Sequence, residues 1–187
     1  MKNLSVLLVL AFCSIQSVFA QPKLPALDKS PMDISFYPAN YPLLKIQDKA
    51  SEPLVARVIY SRPQKNNRVI FGDLVEYGKV WRLGANEATE IEFFQNVTIN
   101  NTKVKKGRYT IYTIPTAESW TIIFNKELET WGSFKYDEKK DLLRVVVPVI
   151  KQPEIAETFS IYFEKTAGGF TMNSVWDDVK VSLPISL

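Results

Sequence analysis

Segment 78–91 combines the residue types from which binding sites are built. It places Trp81, Arg82, Asn86 and Glu87 around two glycines, with too little apolar periodicity for a segment that serves only the core. A guanidinium group binds carboxylate, phosphate or carbonyl oxygens through parallel N–H donors. A side-chain amide both donates and accepts, as sugar hydroxyls and peptide groups require. The pattern predicts a polar cleft for a small polar or anionic molecule, a saccharide or the end of a peptide, with the indole ring available for stacking.

The same residues also have a structural interpretation. Arg82 and Glu87 would form an ion pair, Asn86 would cap a turn, and Gly84 would supply a positive φ. In that case the segment only shapes a loop, and the protein is a structural or assembly factor of the cell envelope. The residues alone leave both interpretations open.

Further arginines could converge on the same ligand. Alternation places Tyr60 and Arg62 on one face at the end of a strand, where Pro63 stops strand pairing. Arg68 follows in the next stretch. We therefore predict that the ligand-binding residues are Tyr60, Arg62, Arg68, Trp81, Arg82, Asn86 and Glu87.

Catalysis would need carboxylates, because the chain contains no histidine and its one cysteine is Cys13. These counts exclude Ser-His and Cys-His nucleophiles and the usual zinc sites, and we expect no metal and no cofactor. Glu90 and Glu92 would share a strand face about 7 Å apart, within the range of an inverting glycosidase. Alternating glutamates are also typical of a solvated strand face. A hydrolase or lyase acting on a glycan or peptide, with Glu87 or Glu90 as acid or base, is the alternative to a non-catalytic binding domain.

The first residues predict export. Lys2, the apolar run 4–12 and the small-residue site 18–20 form a secretory signal peptide, 1–20, ending before Gln21. No other apolar stretch approaches the roughly 20 residues of a membrane span. The formal net charge of +3 is too balanced to favour nucleic acid as a partner. We expect a periplasmic or extracellular protein without a membrane span, and the oligomeric state stays open.

Period-two alternation dominates the chain from residue 54 onward, in segments rich in β-branched and aromatic residues. These segments are 55–62, 89–94, 120–124, 143–149, 159–163, 170–172 and 179–183. Asn100-Asn101 and Gly168-Gly169 suit hairpin turns, whereas 126–131 and 137–142 could hold short helical turns. The prediction is an all-β, antiparallel β-sandwich or jelly-roll-like single domain over 54–187 with few short helical turns. The proline-rich segment 21–53 is expected to form an N-terminal tether, with an edge strand at 34–37.

Several motifs resemble those of the domain of unknown function 2911 family of exported bacterial proteins. They are YSRP at 60–63, RVIFG at 68–72 and WRLGANEAT at 81–89. Segments 107–115 and 120–125 are also similar, so the resemblance covers residue 28 to the C-terminus. It implies an exported protein but no particular activity. Asn66-Asn67 departs from the Lys-Gly-like turn expected there, which changes the chemistry of that loop.

Overall fold

The computed structural model describes residues 23–187, so the expected signal peptide, 1–20, lies outside the described residues. The strands are β1 Met32–Tyr37, β2 Ala56–Ser61, β3 Glu90–Phe93, β4 Val97–Ile99, β5 Thr102–Val104, β6 Gly107–Pro115, β7 Ser119–Asn125, β8 Asp141–Thr166 and β9 Gly169–Ser186. The helical elements are α1, Tyr41–Ile46, and a 3₁₀ turn, Glu138–Lys140. The prediction of an all-β chain with few short helical turns is confirmed.

All nine strands belong to one antiparallel sheet, in the order β1-β2-β3-β6-β7-β8-β9-β4-β5. The long strand β8 pairs with β7 through its first part and with β9 through its second, with register shifts between Lys151 and Ser160. Apolar side chains from both halves of the sheet join one hydrophobic core. Because β8 makes the sheet continuous, the finer sandwich or jelly-roll form stays a prediction.

Alternation determines which residues enter the core. In β3, Ile91 and Phe93 are buried, whereas Glu90 and Glu92 lie on the opposite face. The same period of two buries every second residue in most of β2, in 159–163 of β8 and in 179–185 of β9. The outward faces of β2, β3 and β6 therefore carry the polar residues that are available for a site.

The predicted hairpin turns form where left-handed backbone is tolerated. Asn100 and Asn101 have φ values of 46° and 58° and join β4 to β5. Ala167 and Gly168 join β8 to β9, and Gly169 begins β9 with φ of 153°. These turns fix the register of the strand pairs that follow them.

The proline-rich segment 21–53 contains regular structure. The expected edge strand is present as β1, which pairs along its whole length with β2, and the Tyr37 ring stacks on Phe170 at 4.1 Å. Helix α1 was not predicted. It accommodates Pro42 in its first turn, where a proline costs no helical hydrogen bond.

No helix within residues 23–187 is both long enough and apolar enough to cross a membrane.

Candidate functional site

The 81–89 motif lies beside β6 and precedes β3, which pairs with the same strand. Trp81 exchanges two backbone hydrogen bonds with Thr113, of 2.7 and 2.8 Å. The Thr89 amide donates to the Arg82 carbonyl at 3.1 Å, which folds the segment back on itself. Leu83 sits in this fold with φ of 53°, an uncommon conformation for a large side chain. The motif is therefore a tight, hydrogen-bonded loop attached to the sheet.

Trp81 is a core residue. Only 8% of it is exposed, and its ring stacks on Trp176 at 6.0 Å and meets Trp120 edge-on at 5.7 Å. The indole N–H donates to the Gly84 carbonyl at 3.1 Å. Both faces of the ring pack inside the protein, so the structure places Trp81 away from any surface that a ligand could stack on.

Gly84 allows the motif to approach β2 closely. A Cβ atom on Gly84 would lie 3.0 Å from the Ser61 carbonyl oxygen, and its φ is 155°. A side chain would therefore meet rigid backbone in a strained conformation. This contact brings the motif next to the YSRP segment at Ser61.

Tyr60, Arg62 and Arg68 serve other contacts. Tyr60 is buried, with its ring edge-on to Phe159 at 5.8 Å. Arg62 bonds to Asp33 at 2.9 Å and to the Phe159 carbonyl at 3.2 Å, so it ties β1, β2 and β8 together. Arg68 donates to carbonyls of its own loop. Two cavities flank the 127–135 loop beside the motif, and none of these three residues lines either of them.

Arg82 is half-buried and lies on the outer side of the sheet, because its neighbour Trp81 points into the core. Its Nε atom is buried and has no hydrogen-bond partner among the described residues. Burial lowers the pKa of Arg82 from its usual value. The ion pair with Glu87 that the structural interpretation requires does not form: Glu87 is exposed, and within residues 23–187 neither side chain takes part in a salt bridge.

The 127–135 loop lies across the motif. Its Gly132 amide donates to the Asn86 carbonyl at 2.9 Å, and the Ala88 amide donates to the Thr130 carbonyl at 3.0 Å. Asn86 has φ of 57°, which turns its carbonyl towards the loop. The backbone of the motif therefore holds the loop.

Two cavities flank this loop. The larger, of about 550 Å³, is lined by Tyr112, Glu127, Leu128, Glu129, Thr130, Trp131, Gly132, Phe134, Lys135 and Lys140. The smaller, of about 350 Å³, is lined by Met32, Ile59, Glu87, Ala88, Glu90, Glu129, Thr130 and Trp131. The loop forms the wall that they share. Trp131 is 61% exposed and Phe134 is 83% exposed, although large aromatic side chains are usually covered.

Two of the carboxylates on β3, those of Glu90 and Glu92, already have partners. Glu90 accepts a hydrogen bond from the Glu129 amide at 2.6 Å and lies 3.5 Å from an Arg108 guanidinium nitrogen. Glu92 pairs with Arg57 at 2.7 Å. Each glutamate of the predicted acid–base pair thus has an ion-pair partner, as expected for a polar strand face. No group of three residues within 23–187 that could hold a metal ion is present.

Hydroxyl groups add neutral polar contacts to the larger cavity. The Tyr112 and Thr130 hydroxyls lie 2.9 Å apart, and both residues line the cavity. The pKa of Tyr112 is raised, mainly by burial, so its hydroxyl stays protonated and can donate. The site therefore offers two aromatic rings, hydroxyls and charges of both signs.

Sequence reasoning missed Trp131 and Phe134. The stretch 126–136 breaks the alternation of the neighbouring strands while carrying three aromatic residues, Trp131, Phe134 and Tyr136. Aromatic residues in a segment without periodicity, bordered by charges, indicate a ring that does not enter the core. That pattern was available in the sequence.

Fold and candidate site together define an all-β antiparallel domain with polar and aromatic surface residues beside the 81–89 motif. The chain belongs to the family described as protein of unknown function (DUF2911), whose sequence model matches residues 44–185. A comparison with curated proteins found no match, and a comparison with solved structures found none either.

Proposed function

We propose that this protein is an exported, non-catalytic binding domain that takes a saccharide on the surface around Trp131. The observation that carries the proposal is the exposure of Trp131, 61%, between two cavities, of which the larger has a mixed polar and apolar lining and the smaller a mainly apolar one. An exposed indole offers a flat apolar face to the C–H side of a sugar ring. Ligand sites combine such apolar surface with a few fixed polar groups.

The polar groups around Trp131 suit sugar hydroxyls. Glu87 and Glu129 provide acceptors, while the Thr130 hydroxyl, which is bonded to the buried Tyr112 hydroxyl, can donate or accept. Saccharides need alternating donors and acceptors around a stacking platform, and this surface supplies both. A peptide end or another small polar molecule would use fewer of these groups.

Binding without turnover is supported by the contacts of Glu90, one of the two candidate acid–base residues. A general acid needs a carboxyl group free to carry a proton, whereas Glu90 accepts a backbone hydrogen bond and faces Arg108. The absence of histidine in the sequence removes the usual alternative base. Export is part of the proposal and follows from the signal-peptide pattern of residues 1–20.

Tryptophan fluorescence tests the proposal directly, because the other three tryptophans, Trp81, Trp120 and Trp176, are buried. We expect a saccharide that binds to change the emission of the mature protein and to shield Trp131 from a soluble quencher. Titration calorimetry, which needs no signal from Trp131, should show that Trp131→Ala weakens binding by about 2 kcal/mol, roughly thirtyfold, as for a central aromatic residue of an interface.

Val146→Ala is the matched control, since Val146 is 67% exposed on β8 and lines neither cavity. It should bind like the parent protein. Equal affinity in the parent and in Trp131→Ala would contradict the proposed surface. If the folded protein binds no saccharide of a broad panel, the result would favour the structural role in the cell envelope.

A further inference from the structure

Trp131 and Glu87 form a fixed pair at the wall between the two cavities. Backbone hydrogen bonds of 2.9 and 3.0 Å join segments 86–88 and 130–132 on either side of this pair. The two residues therefore face each other as the non-hydrogen-bonded pair of a short antiparallel ladder, the arrangement that brings side chains closest together. The Glu87 side chain thus starts beside that of Trp131, and both residues line the smaller cavity.

Phe134 supplies a second exposed ring on the same loop. It is 83% exposed and lines the larger cavity together with Trp131. Its ring occupies the space that a side chain on Gly132 would fill, because a Cβ atom there would lie 2.7 Å from Cε2 and 2.8 Å from Cδ2 of Phe134. The Gly132 amide in turn donates to the Asn86 carbonyl. The motif therefore holds Gly132, and the missing side chain of Gly132 gives the Phe134 ring its place.

Each exposed ring has a polar side chain beside it and a cavity next to it. The smaller cavity, of about 350 Å³, is lined by Trp131 and Glu87. The larger cavity, of about 550 Å³, is lined by Phe134 and Lys135 as well as by Trp131. Each volume alone lies within the roughly 300–1,000 Å³ of small-molecule sites. A carboxylate accepts hydrogen bonds and an ammonium group donates them, and sugar hydroxyls can answer both. The surface thus offers two positions for a sugar ring, joined at Trp131.

The charges of the two cavities fit an uncharged ligand. The charged residues that line the larger cavity are balanced; they are Glu127, Glu129, Lys135 and Lys140. The charged residues that line the smaller cavity are glutamates, and two of them, Glu90 and Glu129, face the guanidinium group of Arg108. An anionic chain would therefore gain no net attraction in the first cavity and would meet carboxylates in the second, whereas a cationic chain would compete with Arg108.

We propose that this surface binds a linear, uncharged oligosaccharide, with one sugar ring stacked on Trp131 and another on Phe134. Each aromatic ring offers a flat apolar face to the C–H side of one sugar ring. The two contacts act together, because the second forms within a ligand that the first already holds. Gly132 is a positioning residue for the second ring. This inference rests on the proposed saccharide function and narrows it from single sugars to chains.

The test measures affinity against chain length by titration calorimetry, which needs no signal from either ring. Each neutral sugar of the panel is supplied as the monosaccharide and as linear oligomers of two to four units. For a sugar that binds, the oligomers should bind at least about tenfold more tightly than the monosaccharide. Phe134→Ala should remove that gain and leave the affinity for the monosaccharide unchanged, whereas Phe134→Tyr, which keeps a ring, should retain the gain. Gly132→Ala should lower the gain, because the added methyl group displaces the Phe134 ring.

Phe94→Ala is the matched control, because Phe94 is also an exposed phenylalanine and lines neither cavity. It should keep the full gain. Equal affinity of the parent protein for monosaccharide and oligomers would overturn the inference and leave the proposed function standing, and this comparison needs no variant to fold. Survival of the gain in Phe134→Ala would also overturn it. So would tighter binding of an acidic or amine-bearing oligomer than of the matched neutral one, or a dimer in sedimentation that Phe134→Ala abolishes. If no saccharide of any length binds, the proposed function itself fails.

Discussion

Trp81 and Trp131 have opposite roles, and alanine at each position separates them. Trp81→Ala removes a ring that lies within 6.2 Å of four other aromatic rings, those of Phe71, Trp120, Phe159 and Trp176. Truncating a buried tryptophan costs about 3–5 kcal/mol. The Gly84 carbonyl also loses its indole donor, which adds about 1 kcal/mol. The expected loss is thus about 4–6 kcal/mol, a large share of the stability of an ordinary domain.

Trp131→Ala should change the free energy of unfolding by no more than about 0.5 kcal/mol, since its ring lies mostly in solvent. Urea unfolding followed by far-UV circular dichroism measures both variants against the parent protein. In a thermal scan the Trp81→Ala melting temperature should fall by roughly 10–20 °C, given about 2–4 °C per kcal/mol for a domain of this size. The affinity for a saccharide should show the reverse order, with the larger loss in Trp131→Ala. Equal unfolding midpoints for the two variants would refute the assignment of Trp81 to the core.

Further predictions concern the turn at the start of β9, alkaline stability and export. Gly169→Ala should destabilise the protein by about 3 kcal/mol or more, because a Cβ would collide with backbone near the C-terminus at a φ of 153°; Gly168→Ala, which meets nothing within 4 Å, is the control in the same urea assay. Burial first, and then a hydrogen bond to a carboxylate, raise the pKa of Tyr136 from 10.0 to about 12. The folded state therefore holds this proton more tightly, so its contribution is complete below about pH 10 and is lost as the pH rises towards about 12. Tyr136→Phe should flatten that decline in urea midpoints, and an unchanged profile would count against the assignment. Intact mass of the exported protein should show cleavage after Ala20 and a first residue of Gln21; retention of 1–20 on the exported protein would contradict the signal peptide.

Local patterns were sufficient to predict the strands. β2 and β3 alternate so regularly that their buried faces follow from the sequence, and Asn100-Asn101 marks its turn by residue type alone. Helix α1 does not follow from the proline pattern, which predicts a tether over 21–53 apart from the edge strand at 34–37. Pro42 sits in the first turn of the helix, where proline is tolerated.

The site was harder to predict because its halves are far apart in sequence. Asn86 and Gly132 join through one backbone hydrogen bond across 46 positions, and no spacing rule connects them. Arg62 was grouped with the motif on residue type, whereas Asp33 and Ser160 occupy its donors. Such pairings depend on the order of strands in the sheet, which alternation does not determine.

The pleat of the sheet explains why the motif cannot form a ligand surface alone. Neighbouring residues of an extended segment point to opposite faces, so when Trp81 enters the core, Arg82 must face outward. Leu83 and Gly84 then turn the chain, and the rest of the motif, 85–89, contains no aromatic residue. A stacking platform would have to come from another part of the chain, and in the proposed site the 127–135 loop supplies it. In the proposed function, Trp131 therefore takes the stacking role that residue type had suggested for Trp81, and the backbone hydrogen bonds of the motif hold the loop that carries it.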